Sequence, residues 1–84
     1  MSYRVILPKP VQKELASLPD EIRERVYVRL DGLKTSPRPP DVKKLKGHDG
    51  WRIRVGDYRV IYEIHDRVLQ VIVVALGHRR EIYR

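Results

Sequence analysis

Between residues 50 and 64 the chain reads GWRIRVGDYRVIYEI. Trp51, Ile53 and Val55 alternate with Arg52 and Arg54, the period of two that marks a strand with one buried face. Gly56-Asp57 is a two-residue Gly-X loop of the kind that closes a type I′ or II′ hairpin. Such a turn sets the register: Val55 opposite Tyr58, Arg54 opposite Arg59, Ile53 opposite Val60 and Arg52 opposite Ile61. Directly opposed residues share a face. Arg52, Arg54 and Arg59 are therefore predicted on one surface, with Trp51, Ile53, Val55, Tyr58, Val60 and Tyr62 on the other. Like charges placed opposite each other destabilise a sheet by roughly a few tenths to 1 kcal/mol, so an anionic partner is expected there.

The other segments surround this hairpin. YRVIL, residues 3–7, is short and β-branched and stops at Pro8, which predicts a first strand. Pro10 suits the first turn of a helix in which Val11, Leu15 and Leu18 form one stripe, ending before Pro19. Asp20 is the expected N-cap of a second helix, with Glu21 and Glu24 in its acidic first turn and Ile22, Val26, Leu30 and Leu33 on its apolar face. Two short antiparallel helices are marginal by themselves and need a sheet to pack on. TSPRPPDV, residues 35–42, holds three prolines and predicts an extended linker. KKLKGHDG follows as a loop anchored by Leu45. After the hairpin, Asp66-Arg67 predicts a tight turn, and VLQVIVVAL, residues 68–76, reads as a central strand broken by Gly77. HRREIYR is too short for a packed helix. The expectation is α+β: an N-terminal strand, a helix hairpin and a three-stranded antiparallel meander, with the helices on one face of a four-stranded, mostly antiparallel sheet, all within one domain over residues 1–84.

Charge sharpens the functional side. The net charge is +7 at pH 7, which points to a polyanionic partner. Residues 43–84 carry ten Lys/Arg against five Asp/Glu, whereas residues 1–42 carry eight against six; the excess sits with the strands. There is no cysteine, which excludes a disulfide framework or a thiolate zinc site. No signal-peptide pattern or run of about 20 apolar residues is present, so a cytoplasmic protein without membrane association is expected. Three scattered histidines, His48, His65 and His78, make no metal constellation. Lys43, Lys44 and Lys46 form a candidate phosphate-contact strip, with Arg80 as a further nucleic-acid contact. Trp51, Tyr58 and Tyr62 fall on the apolar side and read as core.

The order of elements, together with KLKG, WRIRVGDYRVIY and the terminal GHRREIY, resembles the RelE/ParE superfamily of bacterial and archaeal toxins over essentially the whole chain. The likeness is closer to the RelE branch, whose members cut messenger RNA in the ribosomal A site, than to ParE-type members, which bind DNA gyrase. It implies a toxin of a type II toxin–antitoxin pair, held in check by a cognate acidic antitoxin, acting on ribosome and mRNA as an endoribonuclease without metal or small-molecule cofactor. Carried over position by position, the family's catalytic set falls on Arg52, Arg54, Arg59, Arg79 and Tyr83. The studied family pattern has lysines where Arg52 and Arg54 stand here. With a pKa above about 12, arginine is no proton acceptor, so these two are assigned to charge stabilisation and RNA binding. Tyr83 is the family's candidate base, its phenolate favoured by surrounding arginines. His78 is the alternative on chemistry alone, since an unperturbed imidazole titrates near pH 6.5.

Overall fold

The computed structural model describes residues 2–45 and 50–78. Its elements are β1 (Arg4–Ile6), α1 (Lys9–Ala16), α2 (Asp20–Gly32), β2 (Lys43–Lys44), β3 (Gly50–Val55), β4 (Tyr58–His65), a 3-10 turn (Asp66–Val68) and β5 (Gln70–His78). The strands form one sheet in the order β1-β5-β4-β3-β2, with β1 parallel to β5 and the other pairs antiparallel. The expected α+β architecture is present, with one strand more than the sequence suggested. That strand, β2, is two lysines paired with Arg52 and Trp51, and its continuation is a hydrogen bond from Leu45 N to Gly50 O at 2.9 Å.

The hairpin register is the expected one, Val55 with Tyr58 through Arg52 with Ile61. Gly56 has φ +59, while Asp57 is not among the positive-φ residues. A positive φ at the first turn position alone is the signature of type II′, which suits glycine there. The alternation then sorts the strands as expected: Ile53, Val55, Val60 and Tyr62 are buried. They meet Val11, Leu15 and Leu18 from the α1 side and Val26, Leu30 and Leu33 from α2, together with Val71, Val73 and Leu76 of β5. Each such side chain contributes roughly 1.5–3 kcal/mol on burial. Both helices thus lie on one face of the sheet, and the opposite face carries the arginines.

Local details differ from the sequence reading. α2 starts at Asp20 itself, with Pro19 as the preceding cap residue and no side-chain capping bond; Asp20 instead forms an i,i+3 ion pair with Arg23. Asp66-Arg67 belongs to the 3-10 turn rather than a two-residue loop, and Leu69 leaves it in the left-handed region, φ 53. β5 begins at Gln70 and passes through Gly77 to His78. Within it lies a bulge: Ile61 faces Ala75, but Tyr62 faces Val73. The extra residue, Val74, is 45% exposed. Because a bulge shifts the alternation by one, Val71 and Val73 before it and Leu76 after it all reach the same core.

The proline-rich linker is fastened to this frame at three points. The buried Tyr62 hydroxyl donates to Pro37 O at 2.8 Å, Arg38 forks onto both Asp66 oxygens at 3.3 and 2.9 Å, and Arg29 does the same to Asp41 at 2.9 and 2.7 Å. Tyr3 adds a hydroxyl to Asp66 at 2.5 Å.

Candidate active site

The face of the sheet away from α1 and α2 gathers its charge in one corner. In the ladders, Lys43 stands opposite Arg52, and Arg54 stands opposite Arg59. Two cationic pairs on adjoining strands therefore share a surface. In a two-residue hairpin the closing pair, Val55–Tyr58, is the hydrogen-bonded one. Arg54–Arg59 then falls on a non-hydrogen-bonded pair, whose Cα atoms approach to about 4.5 Å and whose side chains lie close together.

The four cations do not share one environment. Arg54 and Lys43 are exposed, while Arg52 and Arg59 are half-buried. Nε and Nη1 of Arg59 each keep less than 1 Å² of accessible surface. A guanidinium shielded in this way acts more strongly on a nearby anion than one in bulk water, because water screens it less. Away from this corner the face becomes apolar through Ile61 and Ala75, which are partners. It ends at Glu63, whose carboxylate lies 3.0 Å from His65 Nε2.

The structure brings together only part of the predicted set. Arg52, Arg54 and Arg59 converge, and Lys43 joins them. Lys44, one residue on, faces the other way: its Nζ lies 5.0 Å from the Trp51 ring centroid, where Arg38 also sits at 5.2 Å. His78 is paired with Tyr58 and makes an edge-to-face contact with its ring at 5.5 Å and 82°. Tyr58 is on the core side of β4, so the register puts His78 on the face opposite Arg54 and Arg59. Lys46, Arg79, Arg80 and Tyr83 lie outside the described residues, as does His48. Trp51 and Tyr58 pack against the core cluster and Tyr62 is part of it, in keeping with a structural role for all three.

A groove of about 770 Å³ borders this corner, lined by Glu21, Glu24, Arg25, Tyr27, Val28, Arg29, Arg54 and Val55. Two of its members are acidic and Arg29 is held by Asp41, so positive charge is more concentrated on the arginine face of the sheet. Among the described residues, no group of three His, Asp or Glu is placed to hold a metal ion, and no helix is long and apolar enough to cross a membrane.

The chain as a whole resembles known toxins. The family described as ParE toxin of type II toxin–antitoxin system, parDE, matches residues 5–83. Toxin RelE3 of Methanocaldococcus jannaschii is 33% identical over 85 residues, covering 95% of this chain and 94% of that protein. Among solved structures, the archaeal RelE of the RelE–RelB complex from Pyrococcus horikoshii OT3 superposes with a TM-score of 0.85 at 39% identity, over 94% of this chain and 97% of that one. The intact E. coli RelBE toxin–antitoxin complex gives 0.81 at 28% identity, over 92% and 96%. The chain therefore belongs to the RelE/ParE superfamily, as a RelE-family toxin of a toxin–antitoxin system.

Proposed function

We infer that this protein is a ribosome-dependent endoribonuclease that cleaves mRNA in the A site and so inhibits translation, and that an acidic antitoxin neutralises it. The observation that supports this reading is the convergence of Arg52, Arg54, Arg59 and Lys43 on the face of the sheet away from α1 and α2. Opposed cations such as Arg54 and Arg59 favour an anionic ligand, and a phosphodiester is an anion that forked guanidinium groups fit well.

RNA cleavage needs no metal when the 2′-hydroxyl of the substrate is the nucleophile. Its oxygen attacks the adjacent phosphorus while its proton passes to a base. The bond from phosphorus to the 5′-oxygen then breaks and the leaving oxygen takes up a proton, giving a cyclic phosphate and a 5′-hydroxyl. The phosphorane between these states carries extra negative charge, and preorganised cations lower its energy by roughly 3–4 kcal/mol for each well-placed donor. Arg59, shielded from water, is assigned to the scissile phosphate with Arg79. Arg54 and Arg52 stabilise charge and hold the RNA, and Lys43 extends the strip. The base is assigned to Tyr83. His78 is set aside for this role because it lies across the sheet from the arginines.

The family description favours a second reading, since ParE toxins give that family its name: a non-catalytic inhibitor of DNA gyrase with the same antitoxin control. Induction in cells separates the two. New 5′ ends within translated codons, seen by primer extension, are expected for the nuclease; intact mRNA with DNA breaks and an SOS response would establish the gyrase reading instead. Both activities imply a cytoplasmic protein.

A further inference from the structure

β2 is two residues long, yet its neighbours on the helix side of the sheet fix which way each side chain points. Val42, just before it, packs against the core cluster, and Lys44 brings its Nζ to 5.0 Å from the ring centroid of Trp51, itself packed on that cluster. Residues 42 and 44 therefore face the helices. Strand alternation turns Lys43 to the opposite side, across from Arg52. Among the described residues no carboxylate pairs with Lys43. Two residues contribute few ladder hydrogen bonds, so the register of β2 depends on the segment that leads into it. That segment is tethered close by: Arg29 of α2 forks onto Asp41 at 2.9 and 2.7 Å, two residues before Lys43, and Val42 N donates to Pro39 O at 3.0 Å. A slip of one residue would carry Lys43 to the helix side.

The Arg29–Asp41 clasp has the chemistry of a positioning contact. A guanidinium that forks onto a carboxylate fixes its orientation as well as its distance, and Arg29 rides on a helix anchored by the buried Val26 and Leu30. The clasp thus ties the placement of β2 to that of α2. We propose, resting on the nuclease reading above, that Lys43 binds a backbone phosphate of the message next to the one held by the arginine corner, and that Asp41, gripped by Arg29, is a positioning residue for Lys43. The Lys43–Arg52 pair and the Arg54–Arg59 pair are two residues apart along β3, about 7 Å, far enough to take separate phosphates. Asp41 makes this reading decidable by sign. By charge alone, losing a carboxylate tightens the hold of a basic protein on a polyanion. Losing a carboxylate that positions Lys43 weakens it.

The test is message cleavage on programmed ribosomes at rising toxin concentration, which yields a half-saturating concentration and a maximal rate. Lys43→Ala should raise the half-saturating concentration up to about fivefold, the measure of one exposed ion pair, and lower its log–log salt slope by about one. Asp41→Asn should raise it in the same direction, and Asp41→Glu, which keeps the carboxylate, should fall nearer the wild type. Asp31→Asn removes the same charge from a pair with Lys34 elsewhere on α2, and should leave the value unchanged or lower it. Added to Lys43→Ala, Asp41→Asn should have no further effect, because the side chain it positions is gone. Should Asp41→Asn fail to fold by circular dichroism, Arg29→Gln is read in its place, alone and combined with Lys43→Ala. An Asp41→Asn variant that behaves like Asp31→Asn, a loss that adds in full to that of Lys43→Ala, or a Lys43→Ala variant equal to the wild type overturns the proposal and spares the nuclease reading. If the wild type itself cuts no message, the nuclease reading falls and this one with it.

Discussion

Arg54 and Arg59 are direct partners in the β3–β4 ladder, two arginines facing each other on the side of the sheet away from α1 and α2. Fold stability alone would disfavour this arrangement. In the proposed nuclease, substrate binding supplies the reason for it, and the conflict between the two demands can be measured.

Replacing Arg54 by threonine removes one of the opposed charges and places a good strand former there. Chemical denaturation at low ionic strength should show a gain of roughly a few tenths to 1 kcal/mol. Raising the salt should stabilise the wild type more than this variant, since screening relieves the same repulsion. A loss of stability at low salt would show that Arg54 is held by favourable contacts.

Arg59→Ala should retain the fold, judged by circular dichroism, and reduce mRNA cleavage about 10²- to 10³-fold, the usual effect of deleting one preorganised donor. Growth arrest by the alanine variant as strong as that by the wild type would place the site elsewhere.

The sequence was most informative where side-chain period and turn chemistry agreed. The hairpin register followed from Gly56-Asp57 and the alternation on either side, because a two-residue loop leaves no freedom in pairing. β2 was not legible: Lys43 and Lys44 have no apolar alternation, and they are a strand because they pair with Arg52 and Trp51, next to the Leu45 N to Gly50 O bond. Lysines on so short an edge strand are a known guard against unwanted pairing, which is the signal that could have identified it. β5 was legible as a strand but not in its parity, since a nearly continuous apolar run has no period and hides the bulge at Val74. That bulge explains why the position of His78 could not be counted along the chain. The exposed Tyr27 and Val28 were not singled out in the sequence, and the groove they line borders the stretch of β3 beyond the end of β2.

The linker contact predicts a loss on removing one oxygen. Tyr62→Phe strands the buried Pro37 carbonyl that Tyr62 now serves, at a cost of about 1–3 kcal/mol, which in a domain of this size lowers Tm by roughly 4–8 °C per kcal/mol. Burial, the first cause, pushes the Tyr62 phenol from 10.0 up to about 12, against the downward pull of Arg29 and Arg38. A raised pKa stabilises the fold fully below the unfolded value and fades as pH climbs through the folded one. Wild-type stability should therefore decline between pH 10 and about 12, and the part of that decline due to Tyr62 should be absent in the phenylalanine variant.

Asp66 works in the opposite direction. Hydrogen bonds from Arg38, then Tyr3, hold its carboxyl down from 3.8 to about 2, and the same contact raises the Tyr3 phenol. A depressed pKa contributes stability above the unfolded value and loses it as pH falls through the folded one. Denaturation midpoints should drop between pH 4 and 2 in the wild type, and this part of the drop should be absent in Asp66→Asn. Parallel acid profiles would show that the Arg38–Asp66 clasp does not restrain the linker.

The most direct trial uses purified components: programmed ribosomes with an mRNA in the A site, incubated with the wild type or with the Arg54→Thr/Arg59→Ala double variant, and read by primer extension. The expected result is a new 5′ end inside the A-site codon with the wild type and full-length message with the double variant. Full-length message with the wild type, or equal cutting by both, would contradict the assignment of RNA cleavage to the arginine face.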